Sequence, residues 1–128
     1  TMQQHPKMLS AIIQKGPFTR FAWGVATDDR LNHHPVPPPG IDSDYWNGRL
    51  KGDDATKFYI RTERQNLVGF AEENVFIFTI HTYFYDISEL DHNEQNLLWE
   101  AIDTMSYESK IYKGIIKMEV ELKRKLGK

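Results

Sequence analysis

The sequence predicts an α+β fold: an antiparallel sheet of about four strands, with an N-terminal helix and a long C-terminal helix (or two) packed on one face. Three observations carry this. Residues 18–27, 57–63, 67–71 and 75–86 alternate bulky apolar side chains with small or polar ones, or run apolar throughout, as strands do. Residues 6–15 and 88–128 instead repeat apolar positions at intervals of three and four, as helices do. The strands are grouped in mid-chain between the helices, which separates the two kinds of structure rather than alternating them. With 128 residues, one domain over 1–128 is expected.

Met8, Leu9, Ile12 and Ile13 form the first helical stripe, with Pro6 suited to its first turn and Gly16-Pro17 to its end. In the first strand Phe21, Trp23 and Val25 alternate with Ala22, Gly24 and Ala26, so one face is bulky and the other admits close approach. Phe58 and Ile60 share one face of the second strand, and Arg64–Asn66 reads as a polar connection to a third. Glu72, Glu73 and Asn74 form the turn of a hairpin into the strongest strand, Val75–Asp86, which is apolar on both faces and so fits a central position. Ser88–Asp91 begins the C-terminal helical region, where Asp91 and Glu94 have capping-box spacing. Leu98, Ile102, Met105, Tyr112 and Ile116 make one stripe there, and Ile111, Ile115, Met118 and Leu122 a second. Ser106–Ser109 and Gly114 are its weak points, where one helix could become two.

Between the first two strands lies a long loop, residues 27–56, and TDDRLNHHPVPPPGIDSDYWNGRL within it is the richest segment of the chain. Long loops in compact domains are functional or disordered, and Tyr45, Trp46 and Leu50 give this one something to bury. An ordered loop carrying the function is the expectation.

Composition narrows the chemistry. There is no cysteine, which removes disulfides, thiolate metal sites and cysteine nucleophiles, and fits a reducing, cytoplasmic setting. A net charge of −2 gives no footprint for general nucleic-acid binding. No run approaches the ~20 apolar residues of a membrane span, and the start of the chain does not read as a signal peptide. Thr1 reads as an addition before Met2, the natural start.

Several groups could carry chemistry, each against a plainer use. His33-His34, with Asp28, Asp29, Asp42 or Asp44 nearby, invites a metal, but adjacent histidines on extended backbone point apart. No metal site and no cofactor are therefore expected. His81 stands among Thr79, Thr82, Tyr83 and Tyr85, where an imidazole could serve as acid or base. The His-x-Thr triplets of two-histidine phosphoesterases are not matched by His81-Thr82-Tyr83, and a structural histidine is the plainer reading. Asp28 and Arg30 could recognise an anion or simply close a turn. Tyr45, Trp46 and Arg49 suit stacking or an interface, with Trp46 the best candidate for a plug onto the core. Pro35–Gly40 reads as a stiff polyproline spacer. Walker, dinucleotide and GxSxG signatures are absent.

These features favour a small binding or regulatory protein. Asp28, Arg30, His33, His34, Tyr45, Trp46 and Arg49 would form its recognition surface, helped by Arg61 and the face bearing His81, Tyr83 and Tyr85. Its partner would be another protein, as for an inhibitor, or a small polar or nucleotide ligand. One alternative is a hydrolase of phosphorylated or nucleotide substrates, with His81 or His34 as acid/base and Arg30 or Arg61 as clamp. Another is a homo-oligomeric structural subunit built on the two-faced strand and the helical tail.

Overall fold

The computed structural model describes residues 5–128, so the reading of Thr1 and Met2 lies outside the described residues. In chain order the elements are α1 (His5–Lys15), β1 (Phe18–Ala26), α2 (Ser43–Trp46), β2 (Tyr59–Phe70), β3 (Val75–Asp86), a 3-10 turn (Ile87–Glu89), α3 (His92–Asp103), α4 (Tyr107–Tyr112) and α5 (Glu119–Lys125). The class is α+β, and the sheet is antiparallel with three strands in the order β1-β2-β3. Contacts divide the described chain into two units. One holds the residues through Trp23 with Thr62–Tyr83, the other Gly24–Arg61 with Phe84–Lys128.

In the first unit α1 lies directly on β2. A β-carbon at Gly69 would sit 2.3 Å from Ile13 Cα and 2.6 Å from the Ile12 carbonyl oxygen, so only glycine lets the helix backbone come this close. Ile12 and Leu67 are buried in this contact. A row of polar side chains runs across the strands: Thr19 Oγ1 donates to Asn66 Oδ1 at 2.9 Å, and Asn66 Nδ2 donates to Thr79 Oγ1 at 3.4 Å. Next to it Gln65, buried, accepts from Arg20 Nε at 2.5 Å and donates to Glu63 Oε2 at 2.8 Å. The Arg20 guanidinium also stands 5.7 Å from the centre of the Phe78 ring.

These bonds correct the expected strand count. Arg64–Asn66 reads as a polar connection, yet the strand runs through it, so the expected second and third strands are one, β2. Polarity there does not mark a turn, because Gln65 and Asn66 are satisfied across the sheet rather than by water. The hairpin turn at Ala71–Asn74 is as expected, with Asn74 in the left-handed region at φ 54°. β3, expected to be central, is an edge strand.

In the second unit Val25, Ala26, Phe58, Ile87, Leu98, Ile102, Ile115, Met118, Leu122 and Leu126 are buried. The Ile87 N–H donates to the Phe58 carbonyl at 3.0 Å, fixing where β3 ends. Asp91 caps α3 in a full capping box with Glu94, as the spacing predicts. The long C-terminal helix does not form, and three short ones replace it. Thr104 ends α3, Ser106 restarts the chain by accepting the Ser109 N–H, and Gly114 at φ 69° closes α4. Each break resets the helical phase, so Leu98, Ile102, Ile115, Met118 and Leu122 of the two expected stripes are buried while Ile111, Tyr112 and Ile116 leave them. Ile115 and Met118 are fully buried, while Tyr112 is 82% exposed and Ile111 lies open.

Gly69→Ala should destabilise the protein by about 1–3 kcal/mol in chemical denaturation, since its methyl group meets helix backbone. Gly24→Ala, with nothing within 4 Å of the new carbon, should be neutral or slightly stabilising.

Candidate functional site

The 27–50 loop is ordered by a closed set of contacts around one carboxylate. Asp28 Oδ2 accepts from Arg30 Nε at 3.1 Å and from its NH2 at 2.7 Å, while Oδ1 accepts the Arg30 N–H at 3.1 Å and pairs with His33 Nε2 at 2.9 Å. A carboxylate only accepts, so His33 carries its proton on Nε2 in this contact. The same Arg30 NH2 also donates to the Tyr45 carbonyl at 2.6 Å and the Trp46 carbonyl at 3.0 Å. Its guanidinium lies 4.8 Å and 5.0 Å from the centres of those two rings.

Local sequence explains why α2 is there to be grasped. Asp42 caps it by accepting the Tyr45 N–H at 2.9 Å, and Gly48 leaves it at φ 65°. Gly48 is buried, its carbonyl accepts the Thr27 N–H at 2.9 Å, and a β-carbon there would press within 3.4 Å of the Asp28 carboxylate. The Gly48 latch to Thr27 spans the whole loop, and no local pattern announces it.

Burial opposes ionisation of Asp28, but the Arg30 bonds and then the His33 ring outweigh it and hold its pKa below the ordinary carboxylate value. For Arg30 the Asp28 carboxylate is the main influence and raises its pKa, against a smaller opposing effect of burial.

His34, next along the chain, is treated differently. Its ring is exposed, and Nδ1 faces the Val36 backbone, 3.1 Å from the N–H and 3.2 Å from the carbonyl oxygen. One tautomer accepts from that N–H; the other donates to that carbonyl and leaves a lone pair on Nε2, facing outward. The His34 carbonyl is in turn held by the Trp46 indole N–H at 2.7 Å. Trp46 is half-buried and joins two parts of the loop through that bond, and Leu31, Val36 and Tyr45 leave apolar surface open along the segment. The polyproline run is short, because Pro38–Ile41 closes a turn with Gly40 at φ 80°.

Arg49 lies over Gly114 and donates to the Tyr112 carbonyl at 3.3 Å, tying the loop to the end of α4. Arg61 is half-buried on β2. In the first unit His81 and Tyr83 stack at 4.5 Å on an exposed part of β3. Among the described residues no group of three or more His, Asp or Glu could hold a metal ion by itself, and no helix is long and apolar enough to cross a membrane.

Comparison with known proteins adds one finding. A family model described as "haem-dependent oxidative N-demethylase, alpha subunit-like" matches residues 2–123. No curated protein and no solved structure matches the chain. The chain belongs to the family of haem-dependent oxidative N-demethylase alpha-subunit-like proteins.

The lowered Asp28 pKa sets a pH dependence. Its contribution to stability is complete above the unfolded-state pKa, about 4, and is lost as pH falls through the lower folded-state value. Asp28→Asn should therefore lower Tm at pH 7, and the gap between variant and wild type should narrow as pH falls below about 4. Thermal melts of both proteins across pH 2.5–7 measure it.

Proposed function

We propose that this chain is a binding module whose 27–50 loop offers the His34 imidazole to a bound group, and that the group is haem, the cofactor in the family's name. The observation that carries this is the placement of His34 Nδ1 against the Val36 backbone, 3.1 Å from its N–H and 3.2 Å from its carbonyl oxygen, on an exposed ring: the tautomer that donates to the carbonyl keeps its lone pair on Nε2. Metal-bound histidines characteristically donate their other ring proton to a backbone carbonyl or a carboxylate, which fixes the tautomer and raises ligand basicity.

The donor set fits such a group. With no cysteine in the chain, a histidine imidazole would be the donor that holds the group. His33 has its Nε2 on Asp28, whereas the exposed His34 ring is held only through its Nδ1 among the described bonds. Leu31 and Val36, 72% and 68% exposed in the same segment, would offer apolar contact to a flat macrocycle. The Trp46 bond to the His34 carbonyl and the Asp28–Arg30 cluster hold the segment in place, so the imidazole is oriented before anything binds. Bound haem supplies iron redox chemistry, which in the family's name is oxidative N-demethylation.

A phosphate or nucleotide fits this loop less well. Arg30, the cation best placed to clamp an anion, directs its fork to Asp28 and two backbone carbonyls. His81, in the first unit, is a second exposed imidazole, stacked on Tyr83, and serves as the comparison for His34. A cysteine-free chain also suits the reducing cytoplasm, which we take as the proposed location.

Titration with hemin, followed by the Soret band, separates these readings. Wild type should bind saturably with a shifted band, His34→Ala should lose at least about tenfold in affinity, and His81→Ala should match wild type. Loss in His81→Ala alone transfers the role to His81. Equal binding by all three, or none by wild type, overturns the proposal.

A further inference from the structure

β3 has β2 on one side and, among the described residues, no strand on the other. It is 12 residues long, and from Val75 through Tyr85 it contains no Asp, Glu, Lys or Arg. It also has no proline. Sheet edges that face water are normally protected by a charge, a proline, a bulge or a short length, because their free N–H and C=O groups recruit other strands. The opposite edge has such protection, since β1 follows Pro17 and carries Arg20. The β3 edge is long, and from Val75 through Tyr85 it carries neither a charge nor a proline.

Its side chains make the same point. Val75, Ile77, Phe78, Ile80, Tyr83 and Tyr85 are each between 38% and 52% exposed, on both faces of the strand. Six large side chains about half exposed leave on the order of 600 Å² of apolar surface per copy, a large part of the ~800 Å² that each partner buries in a standard interface.

We propose that β3 pairs antiparallel with β3 of a second copy of this chain, across a two-fold axis at Ile80, to make a continuous six-stranded sheet. Three features single out a second copy as the occupant. A strand that is apolar on both faces matches only a strand of the same character, and this chain presents one. The stretch has no charge, so the symmetric pairing sets no like charges opposite one another. Ile80 is also the midpoint of Val75–Tyr85, and an axis there overlaps the whole uncharged stretch. In this register Ile77 of one copy faces Tyr83 of the other, Thr79 faces His81, and Asp86 meets Asn74 beyond the uncharged stretch.

The test uses the full chain without added haem, so that it stands apart from the cofactor reading. Sedimentation velocity across roughly 0.1–100 μM, a range that brackets micromolar dissociation, should show a monomer–dimer equilibrium for wild type. Ile80→Lys places two lysines opposite each other on the axis and should weaken the dimer at least about tenfold. Ile80 is already half-exposed, so the monomer should keep its far-ultraviolet circular dichroism. Should that variant fail to fold, hydrogen exchange of wild type decides instead. Amides of residues 75–85 should gain protection as concentration rises, while amides of β1 should not. A monomer at every concentration overturns the proposal, as does a dimer that Ile80→Lys leaves intact or that forms without protection of β3.

Discussion

The Asp28 carboxylate is the constraint on which the 27–50 loop depends. Each of its oxygens serves two partners: Oδ2 takes two donors of the Arg30 fork, and Oδ1 takes a backbone N–H and the His33 ring. Arg30, held there, lies near two aromatic rings and reaches two carbonyls of α2. A loop with four prolines and two glycines thereby gains fixed geometry without a regular ladder of its own. A half-buried charge is costly unless it is paired and hydrogen-bonded, and this arrangement meets both conditions.

That closure divides the labour of the two adjacent histidines. His33 is part of the scaffold, because its Nε2 is occupied. His34 has an exposed ring anchored by Nδ1 on the Val36 backbone. Neighbouring residues on extended backbone direct their side chains oppositely, so one dipeptide can contribute to the framework and to binding at once. Arg49 and Trp46 are also engaged, by the Tyr112 and His34 carbonyls, while Leu31, Val36 and Tyr45 lie exposed among polar residues such as Asp29 and Asn32.

Much of this was legible in the residues. Periodicity identified the class, the first helix, the hairpin turn and the β3 strand, and the Asp91/Glu94 spacing identified the capping box. The loop was marked by its density of aromatic, charged and turn-forming residues. Two expectations gave way to longer-range causes. Arg64–Asn66 looked like a connection because polarity signals solvent, but its side chains are answered by Thr19, Arg20 and Thr79 on neighbouring strands. The helical tail looked continuous because its apolar residues fall at helical intervals; a serine cap and a left-handed glycine divide it into three.

The sequence by itself determined the local choices: which segments prefer helix or strand, where Asp, Ser and Gly end them, and which thiolate chemistry the absence of cysteine forbids. Tertiary structure alone decided which polar groups are occupied and which remain open. Arg30 and His33 carry the same functional groups as any anion clamp or metal ligand, and only the approach of Asp28 and α2 shows those groups engaged. His34 is distinguished from His33, and the edge position of β3 from a central one, by contacts between residues far apart in the chain. The physical reason is the same in each case: propensity is local, whereas the satisfaction of a hydrogen-bonding group depends on what the rest of the fold brings beside it.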